Sequence, residues 1–166
     1  DPRVPPSNRP ASPIDCADID PMNIFKGKEM DCDKNLAGFI QDCCSNSGLF
    51  NPFCTQEDRE LIQRRKAKTC HKVGTYCSKK ILGKCVQKRT KYCCFNSKLA
   101  RIIHEQGRPQ LIAKGMWTPT QNNGWGPKDD PDCRGFRPEE LQAIDFSQID
   151  FSEYYGDIRE TVMPPG

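Results

Sequence analysis

Cysteine is the residue that most constrains how this chain of 166 residues folds. Eleven of its residues are cysteine, whereas only 36% are apolar, a class that itself includes cysteine. A chain with so little apolar surface to bury gains little from burial, so cross-links that restrict the unfolded state become important. Because disulfides persist only in oxidising compartments, the composition predicts a protein of the periplasm, the cell surface or the secreted space.

The spacing of the cysteines favours disulfides over zinc. Structural zinc sites usually contain cysteine pairs separated by roughly two to four residues, and no such pair occurs here. We therefore predict no metal and no cofactor. Adjacent cysteines rarely bond to each other, because that ring is strained. The pairs Cys43-Cys44 and Cys93-Cys94 should each tie one segment to two others.

An odd number of cysteines leaves one without a partner, and Cys16, near the chain end, is our candidate. The connectivity of the others stays open at this point. The disulfide candidates are Cys16, Cys32, Cys43, Cys44, Cys54, Cys70, Cys77, Cys85, Cys93, Cys94 and Cys133.

Local patterns predict a small disulfide-rich fold that is mainly α, with a short β-hairpin and long loops. Apolar residues at three- and four-residue steps predict a helix over 33–44. A second helix should begin at Thr55, a good N-cap, and end in a basic turn. A third should run from Asn96 to Gly107, where glycine followed by Pro109 favours an end.

The remaining segments are shorter or less regular. A final short helix should begin at Pro138, since proline suits the first helical position. Loose alternation over 74–94 predicts the hairpin or an irregular pair of loops, and 16–30 and 116–131 should be loops. In the second loop, core packing is the preferred interpretation of Trp117 and Trp125, ahead of an interface anchor.

The domain prediction has three parts. Residues 1–15 contain five of the fourteen prolines and should form an extended or disordered lead-in. Residues 16–160 should form one disulfide-stapled domain, and 161–166 a frayed tail. No apolar run approaches the roughly 20 residues of a spanning helix. The start, DPRVPPSNRP, contains no signal-peptide core, which we interpret as a mature form or an excised domain.

Charge is unevenly distributed along the chain. Between Arg59 and Arg101 there are fourteen lysines or arginines and a single acid, Glu60, whereas 129–160 contains ten acids. This asymmetry indicates either pairing between the two regions or a basic surface for an anionic partner. Nucleic acid is a disfavoured partner, because few aromatic residues lie among these cations for base stacking. The candidate basic surface consists of Arg64, Arg65, Lys66, Lys79, Lys80, Lys88 and Arg89.

Catalysis and calcium binding are the weaker alternatives. A thiol-dependent enzyme could use Cys93 or Cys94 with His104, but it needs a free thiolate, which a disulfide removes. We therefore predict no enzyme activity and no catalytic residues. The acids Asp145, Asp150, Glu153 and Asp157 lack the spacing of an EF-hand loop, so solvated acids beside buried Phe146, Phe151 and Tyr154 are expected.

Three long motifs resemble the cysteine-rich C-terminal region of the TraN-like mating-pair stabilisation family of F-type conjugative type IV secretion systems. They are GTYCSKKILGKC at 74–85, KYCCFNSKLARIIHEQGRPQL at 91–111 and DCRGFRPEELQAIDF at 132–146. The similarity covers roughly 43–155.

The resemblance implies a structural, non-enzymatic role in conjugation, at the periplasm, outer membrane or cell surface of a Gram-negative bacterium. It also implies partners among other secretion-system or outer-membrane proteins. Because the family's receptor-reading part lies upstream of this region, the resemblance favours an anchoring role over recognition of the recipient cell. The alternative is an independent secreted module whose basic surface binds an anionic partner.

Overall fold

The structure is a computed structural model that describes residues 24–37 and 41–156. Its strands are β1 (Lys28–Asn35), β2 (Gln41–Asp42), β3 (Cys70–Ile81) and β4 (Lys84–Cys94). Its helices are α1 (Gln56–Lys66), α2 (Lys98–Ala113) and α3 (Pro138–Ala143). Short 3₁₀ turns lie at Asn46–Leu49, Gln121–Gly124 and Phe146–Gln148.

A four-stranded antiparallel sheet is the centre of the fold, so the prediction of a mainly α protein is wrong. The strand order is β2-β1-β4-β3. The predicted hairpin is present as β3 and β4, and at twelve and eleven residues it is not short. Its β-branched and aromatic residues, such as Val73, Thr90 and Tyr92, suit a pleated surface.

The predicted helix over 33–44 is also wrong. Asp33–Asn35 is the end of β1, and Gln41–Asp42 is β2, paired through Lys34 with Asp42 and Asn35 with Gln41. Lys28–Met30, predicted as loop, is the start of β1. Pairing of β1 with β4 along its whole length overrides the local helical periodicity. Phe39 and Ile40, part of the predicted apolar stripe, lie outside the described residues.

Helix α1 begins as predicted. The Thr55 hydroxyl accepts a hydrogen bond from the Asp58 amide at 3.1 Å, and the Asp58 carboxylate accepts one from the Thr55 amide at 2.8 Å. These reciprocal bonds satisfy two amide groups that the first turn leaves free. The last turn contains the expected cations Arg64, Arg65 and Lys66, which face the negative end of the helix dipole.

Helix α2 differs from its prediction at both ends. Its N-cap is Ser97, not Asn96, and the Ser97 hydroxyl accepts a hydrogen bond from the Ala100 amide at 3.0 Å. It continues through Gly107 and Pro109 to Ala113. Helix α3 begins at Pro138 as predicted.

The sheet has a hydrophobic cluster on each face. Because side chains alternate along a strand, Tyr92 and Cys94 point to one face and Cys93 to the other. On the first face, Tyr92 and Cys94 pack with Met30, Cys32 and Leu61 of α1. On the second, Cys93 packs with Val73, Phe95, Ala100 and Trp125.

A third cluster joins α2 to the C-terminal part of the described chain. Ile102, Ile103 and Leu111 of α2 pack against residues that lie beyond the helix. Those residues are Trp117, Phe136, Ile144 and Ile149. The expected burial is only partial here, because Phe146 is 40% exposed.

Five disulfides connect these elements, which confirms the prediction of a disulfide-rich fold. They are Cys32–Cys44, Cys43–Cys54, Cys70–Cys94, Cys77–Cys85 and Cys93–Cys133. Each adjacent pair ties one segment to two others, as expected from ring strain. All ten cysteines of the described residues are paired. Cys16, together with the predicted lead-in and frayed tail, lies outside the described residues.

Candidate functional site: a basic hairpin end with an exposed apolar turn

The hairpin formed by β3 and β4 extends past the rest of the sheet. Strand β1 pairs with β4 only as far as Gln87, whereas β3 and β4 continue to the pair Ile81 and Lys84. Strand β4 contains three residues beyond Gln87, at positions 84–86, so at about 3.3 Å per residue the hairpin reaches about 10 Å past that point. We call residues 79–84, all of them exposed, the hairpin end.

The turn of the hairpin has an unusual residue at its first position. Leu82 and Gly83 have φ angles of 50° and 78°, and positive φ at both positions is the requirement of a type I′ turn, which favours Asn-Gly. Gly83 meets this requirement without strain. Leu82 is 100% exposed and Ile81 is 50% exposed. A leucine in this conformation costs roughly 1–2 kcal/mol, and here no burial offsets that cost.

Four lysines surround the turn. Lys79, Lys80, Lys84 and Lys88 are all exposed, and none of them forms an ion pair with the part of the chain that the structure describes. The Cys77–Cys85 disulfide links the two strands just behind the turn. The hairpin end is therefore a covalently clipped, positively charged projection with an apolar apex.

A cleft of about 400 Å³ lies beside the hairpin end. The hairpin contributes Ile81 and Val86 to its wall, and the segment before α1 contributes Phe53, which is 70% exposed. Asp33 and Asp58 also line the cleft and give it acidic groups. Apolar surface thus continues from the turn toward the start of α1.

The structure divides the predicted basic surface between two places. Arg64, Arg65 and Lys66 lie at the C-terminal end of α1, close to the start of β3 at Cys70. Lys79 lies nine residues further along β3, about 30 Å away along an extended strand. Lys80 and Lys88 are in the hairpin, with Lys79.

Three of the predicted cations contact other parts of the protein. Arg65 donates a hydrogen bond to the Cys44 carbonyl and lies over the Tyr92 ring at 5.2 Å. Arg64 pairs with Glu60 at 3.1 Å. Arg89 pairs with Asp33 at 2.8 Å, and this hydrogen bond raises the pKa of Arg89. That leaves Lys66, Lys79, Lys80 and Lys88 as the members of the set that remain available to a partner.

Pairing between the basic and acidic regions occurs at α2. Arg101 donates to Glu153 at 2.6 Å, and Lys98 lies 3.7 Å from the same carboxylate. Farther along the sheet the acids come instead from β1, where Lys91 contacts Glu29 and lies 3.8 Å from Asp31. The hydrogen bond that Lys91 donates to Glu29 raises the pKa of Lys91. Both interpretations of the charge asymmetry therefore have a structural counterpart, in different parts of the molecule.

His104, the candidate base of a thiol enzyme, is fully buried. Its Nε2 lies 2.8 Å from the Phe25 carbonyl, and its Nδ1 accepts a hydrogen bond from Arg108 at 3.1 Å. Burial, reinforced by the Arg108 charge, lowers the pKa of His104 well below its usual value. Cys93 and Cys94 are both in disulfides. These three residues contain neither a free thiolate nor an accessible base.

Arg108 is the centre of a buried polar cluster that the sequence did not predict. Its guanidinium lies over the ring of Trp125 at 3.7 Å and that of Trp117 at 4.5 Å. It donates to the carbonyls of Gly124 at 2.9 Å and Asp132 at 2.7 Å. Burial lowers the pKa of Arg108 to about 9, so the group stays charged at neutral pH. Trp117 and Trp125 are 1% and 2% exposed, which confirms core packing.

Among the described residues, one group of three potential metal ligands occurs, formed by Cys43, Cys54 and Asp58. Two of its members are joined in a disulfide, so their sulfurs are not thiolate ligands. Hydrogen bonds from the side chains of Ser147 and Ser152, together with those from their backbone amides, lower the pKa of the Asp145 and Asp150 carboxyls. These two acids stabilise local turns.

No helix within residues 24–37 and 41–156 has the length and apolar character needed to cross a membrane.

The apolar apex of the hairpin, Ile81 and Leu82, is the part of the candidate site that the sequence prediction missed. The available signal was a leucine in a two-residue turn between lysine-rich strands, a place where apolar residues gain nothing from the fold.

A family model and a curated relative both relate this chain to the same family. A model of the family described as F-type Type IV secretion system, TraN, matches residues 13–137. The mating pair stabilization protein TraN of Escherichia coli (strain K12) is 36% identical over 145 residues, which is 85% of this chain and 22% of that protein. The chain thus spans about a fifth of the length of that relative. No solved structure matches the chain.

Proposed function

Because the chain belongs to the TraN family of F-type type IV secretion systems, we propose that it is a non-enzymatic anchoring domain that helps to stabilise mating pairs during conjugation. The observation that carries the proposal is the disulfide network. It ties β1 to the turn after β2, β3 to β4, and β4 to the long loop that holds Cys133. A framework cross-linked in this way resists unfolding better than a core of modest size alone.

The proposal includes a place and a domain organisation. Five disulfides require an oxidising compartment, which supports the periplasm, outer membrane or cell surface of a Gram-negative bacterium. We also propose that residues 16–160 act as one unit. Other secretion-system or outer-membrane proteins are the proposed partners.

A non-enzymatic role is supported by the chemistry of the buried cluster. His104 is held neutral between Arg108 and the Phe25 carbonyl. All cysteines in the described ranges are in disulfides. The polar groups in the interior therefore organise packing.

Mating assays in liquid and on a solid support test the anchoring role. Shear separates mating cells in liquid, whereas a solid support holds them together. Donors with the double substitution Cys93→Ser and Cys133→Ser should transfer DNA about ten-fold less in liquid, because loss of a stabilising cross-link lowers the amount of folded protein. The defect should be smaller on the solid support. A donor with Lys72→Gln, at an exposed position, is the control and should mate normally.

Two results would contradict the proposal. Deletion of the chain without any change of transfer frequency in liquid would remove the stabilising role. Equal defects in liquid and on the solid support would indicate a role in DNA transfer itself. Co-fractionation of the wild-type chain with outer-membrane components should accompany the mating phenotype.

A further inference from the structure

We propose that the hairpin end docks on an anionic lipid surface, with Leu82 and Ile81 entering the apolar layer and the adjacent lysines contacting the head groups. Lipid docking would explain how the chain is anchored, and it rests on the proposed anchoring role, which places the chain in the periplasm, at the outer membrane or at the cell surface. Lipid binding of the purified chain is nevertheless a property that can be measured independently of mating.

Leu82 provides the first argument. It occupies a turn position with φ of 50° and is 100% exposed. Asparagine would satisfy the same turn with less strain and better hydration. The fold therefore gains neither conformational ease nor burial from this leucine. A residue that the fold itself disfavours points to a partner that buries it.

The order of side chains along the hairpin provides the second argument. Leu82 is at the apex, Lys84 pairs across the strands with Ile81 next to the turn, and Lys80 pairs with Cys85 two residues behind Leu82. Two residues of strand span about 7 Å, similar to the depth of about 5–10 Å at which interfacial apolar groups enter a bilayer. Long lysine side chains can reach back to head groups while their stems cover apolar surface. A projecting apex with charges set behind it fits a planar amphiphilic surface better than a peptide, which needs a groove.

Charge supplies the third argument. From Lys79 to Lys88 the chain contains four lysines and no acid. None of these lysines is neutralised within the described part of the protein. Each lysine held near an anionic leaflet strengthens binding by about five-fold. The Cys77–Cys85 disulfide and the β3–β4 ladder already order the hairpin, so little ordering is needed on contact.

Sedimentation of the full chain with lipid vesicles tests the inference. We expect binding to vesicles of equimolar phosphatidylcholine and phosphatidylglycerol, and much weaker binding to phosphatidylcholine alone. Leu82→Asn should lower the partition coefficient about ten-fold, because the buried leucine side chain is lost. The same substitution should raise the melting temperature, because asparagine tolerates a positive φ. Opposite effects on binding and stability exclude misfolding as the cause.

Charge variants complete the experiment. The triple variant Lys79→Gln, Lys80→Gln and Lys84→Gln should lose about five-fold in binding per lysine. The control triple variant Lys28→Gln, Lys68→Gln and Lys72→Gln removes the same charge from exposed positions at the other end of the sheet, and it should bind as the wild type does.

The outcomes separate the two proposals. Absence of binding to mixed vesicles, or equal loss in both triple variants, overturns lipid docking while the mating phenotype still decides the anchoring role. Binding that needs the hairpin lysines but not Leu82 overturns insertion and indicates a purely anionic partner, such as an acidic protein. If the chain binds vesicles but its deletion leaves mating unchanged, lipid docking of the hairpin end is supported and the anchoring role is contradicted.

Discussion

Two basic residues one helical turn apart, His104 and Arg108, lie in the interior with 0% exposure. Their arrangement is stable because each polar atom has a defined partner. The Arg108 guanidinium donates to backbone carbonyls, and His104 accepts from it at Nδ1. Stacking of the His104 ring on Phe95 and Phe136, at 4.5 and 4.1 Å, closes the site to water. A protonated His104 would have no acceptor for its second N–H and would face the Arg108 charge.

Stability should therefore depend on pH in the range where histidine titrates. The pKa of His104 is lowered in the folded state, whereas in the unfolded state it is near 6.5. Below that pH the unfolded chain binds a proton that the native protein excludes. The associated stability is present above about pH 6.5 and is lost as pH falls, with a slope approaching about 1.4 kcal/mol per pH unit.

Urea unfolding with the disulfides intact measures this dependence between pH 7 and pH 5. The chain has two histidines, so in the variant His71→Gln the single remaining histidine is His104, and any dependence on histidine protonation must come from it. The slope should persist in that variant. A flat profile there would show that His104 accepts a proton in the native state. Lowered pKa values of Glu105 and Glu140 add a further loss, but only near and below their usual value of 4.5.

The burial of some side chains can be predicted from the sequence, whereas that of others cannot. The burial of Trp117 and Trp125 was predictable, because large aromatic side chains usually pack inside. Arg108 was not, since an isolated arginine in a helix normally faces solvent and its acceptors lie 16 to 26 residues later in the chain. Leu82 was visible as a leucine in a turn, but its positive φ and full exposure require the structure.

At the scale of elements, α2 shows how a local signal can mislead. The sequence predicts that the helix ends at Gly107, yet the helix continues to Ala113. A Cβ atom at position 107 would lie 2.7 Å from Ile144 Cδ1. Glycine at this position permits close packing of α2 against the end of α3. The buried residues Arg108 and Leu111 hold the helix together past Pro109.

Because Gly107 lies so close to Ile144, we expect substitutions at the two positions to have non-additive effects on the free energy of unfolding. Alanine in place of glycine within a helix normally stabilises it by about 1 kcal/mol. Gly107→Ala alone should show none of this gain, because the new methyl group meets Ile144. In an Ile144→Val background, which removes Cδ1, Gly107→Ala should raise the free energy of unfolding by about 0.5–1 kcal/mol. Additive effects in urea unfolding of the four proteins would contradict the close-packing explanation.

The elements that were predicted correctly depend on residues close in sequence. The capping box of α1 joins Thr55 to Asp58, and the turn of the hairpin depends on Gly83. By contrast, the segment wrongly predicted as a helix over 33–44 begins as a strand because of its pairing with β4, in which Gln87 pairs with Asn35. Such long-range pairing competes with local periodicity and leaves no signal in one sequence.

At the scale of the whole molecule, covalent and non-covalent organisation follow the same plan. The sheet separates a cluster under α1 from a cluster under α2, and disulfides reach into both. Cys94 connects to Cys70 in the first cluster, and Cys93 connects to Cys133 at the second. Neighbouring residues of β4 thus fix both faces of the sheet.

The disulfides should therefore decide whether the chain folds at all. Their sequence separations run from 8 to 40 residues, and for an open chain each contributes roughly 2.5–4 kcal/mol through loop entropy. Together they approach the upper end of the roughly 5–15 kcal/mol by which ordinary domains are stable. The fully reduced chain should be unfolded at 25 °C and neutral pH.

Tryptophan fluorescence reports this transition directly, because Trp117 and Trp125 are buried in the native protein. Reduction with a phosphine should shift their emission to that of the urea-unfolded chain, and near-ultraviolet dichroism should be lost in parallel. Alkylation before reduction is the matched control: it should label at most one thiol per chain, since ten of the eleven cysteines are paired. Native emission after complete reduction would show that the three hydrophobic clusters and the Arg108 site suffice without cross-links.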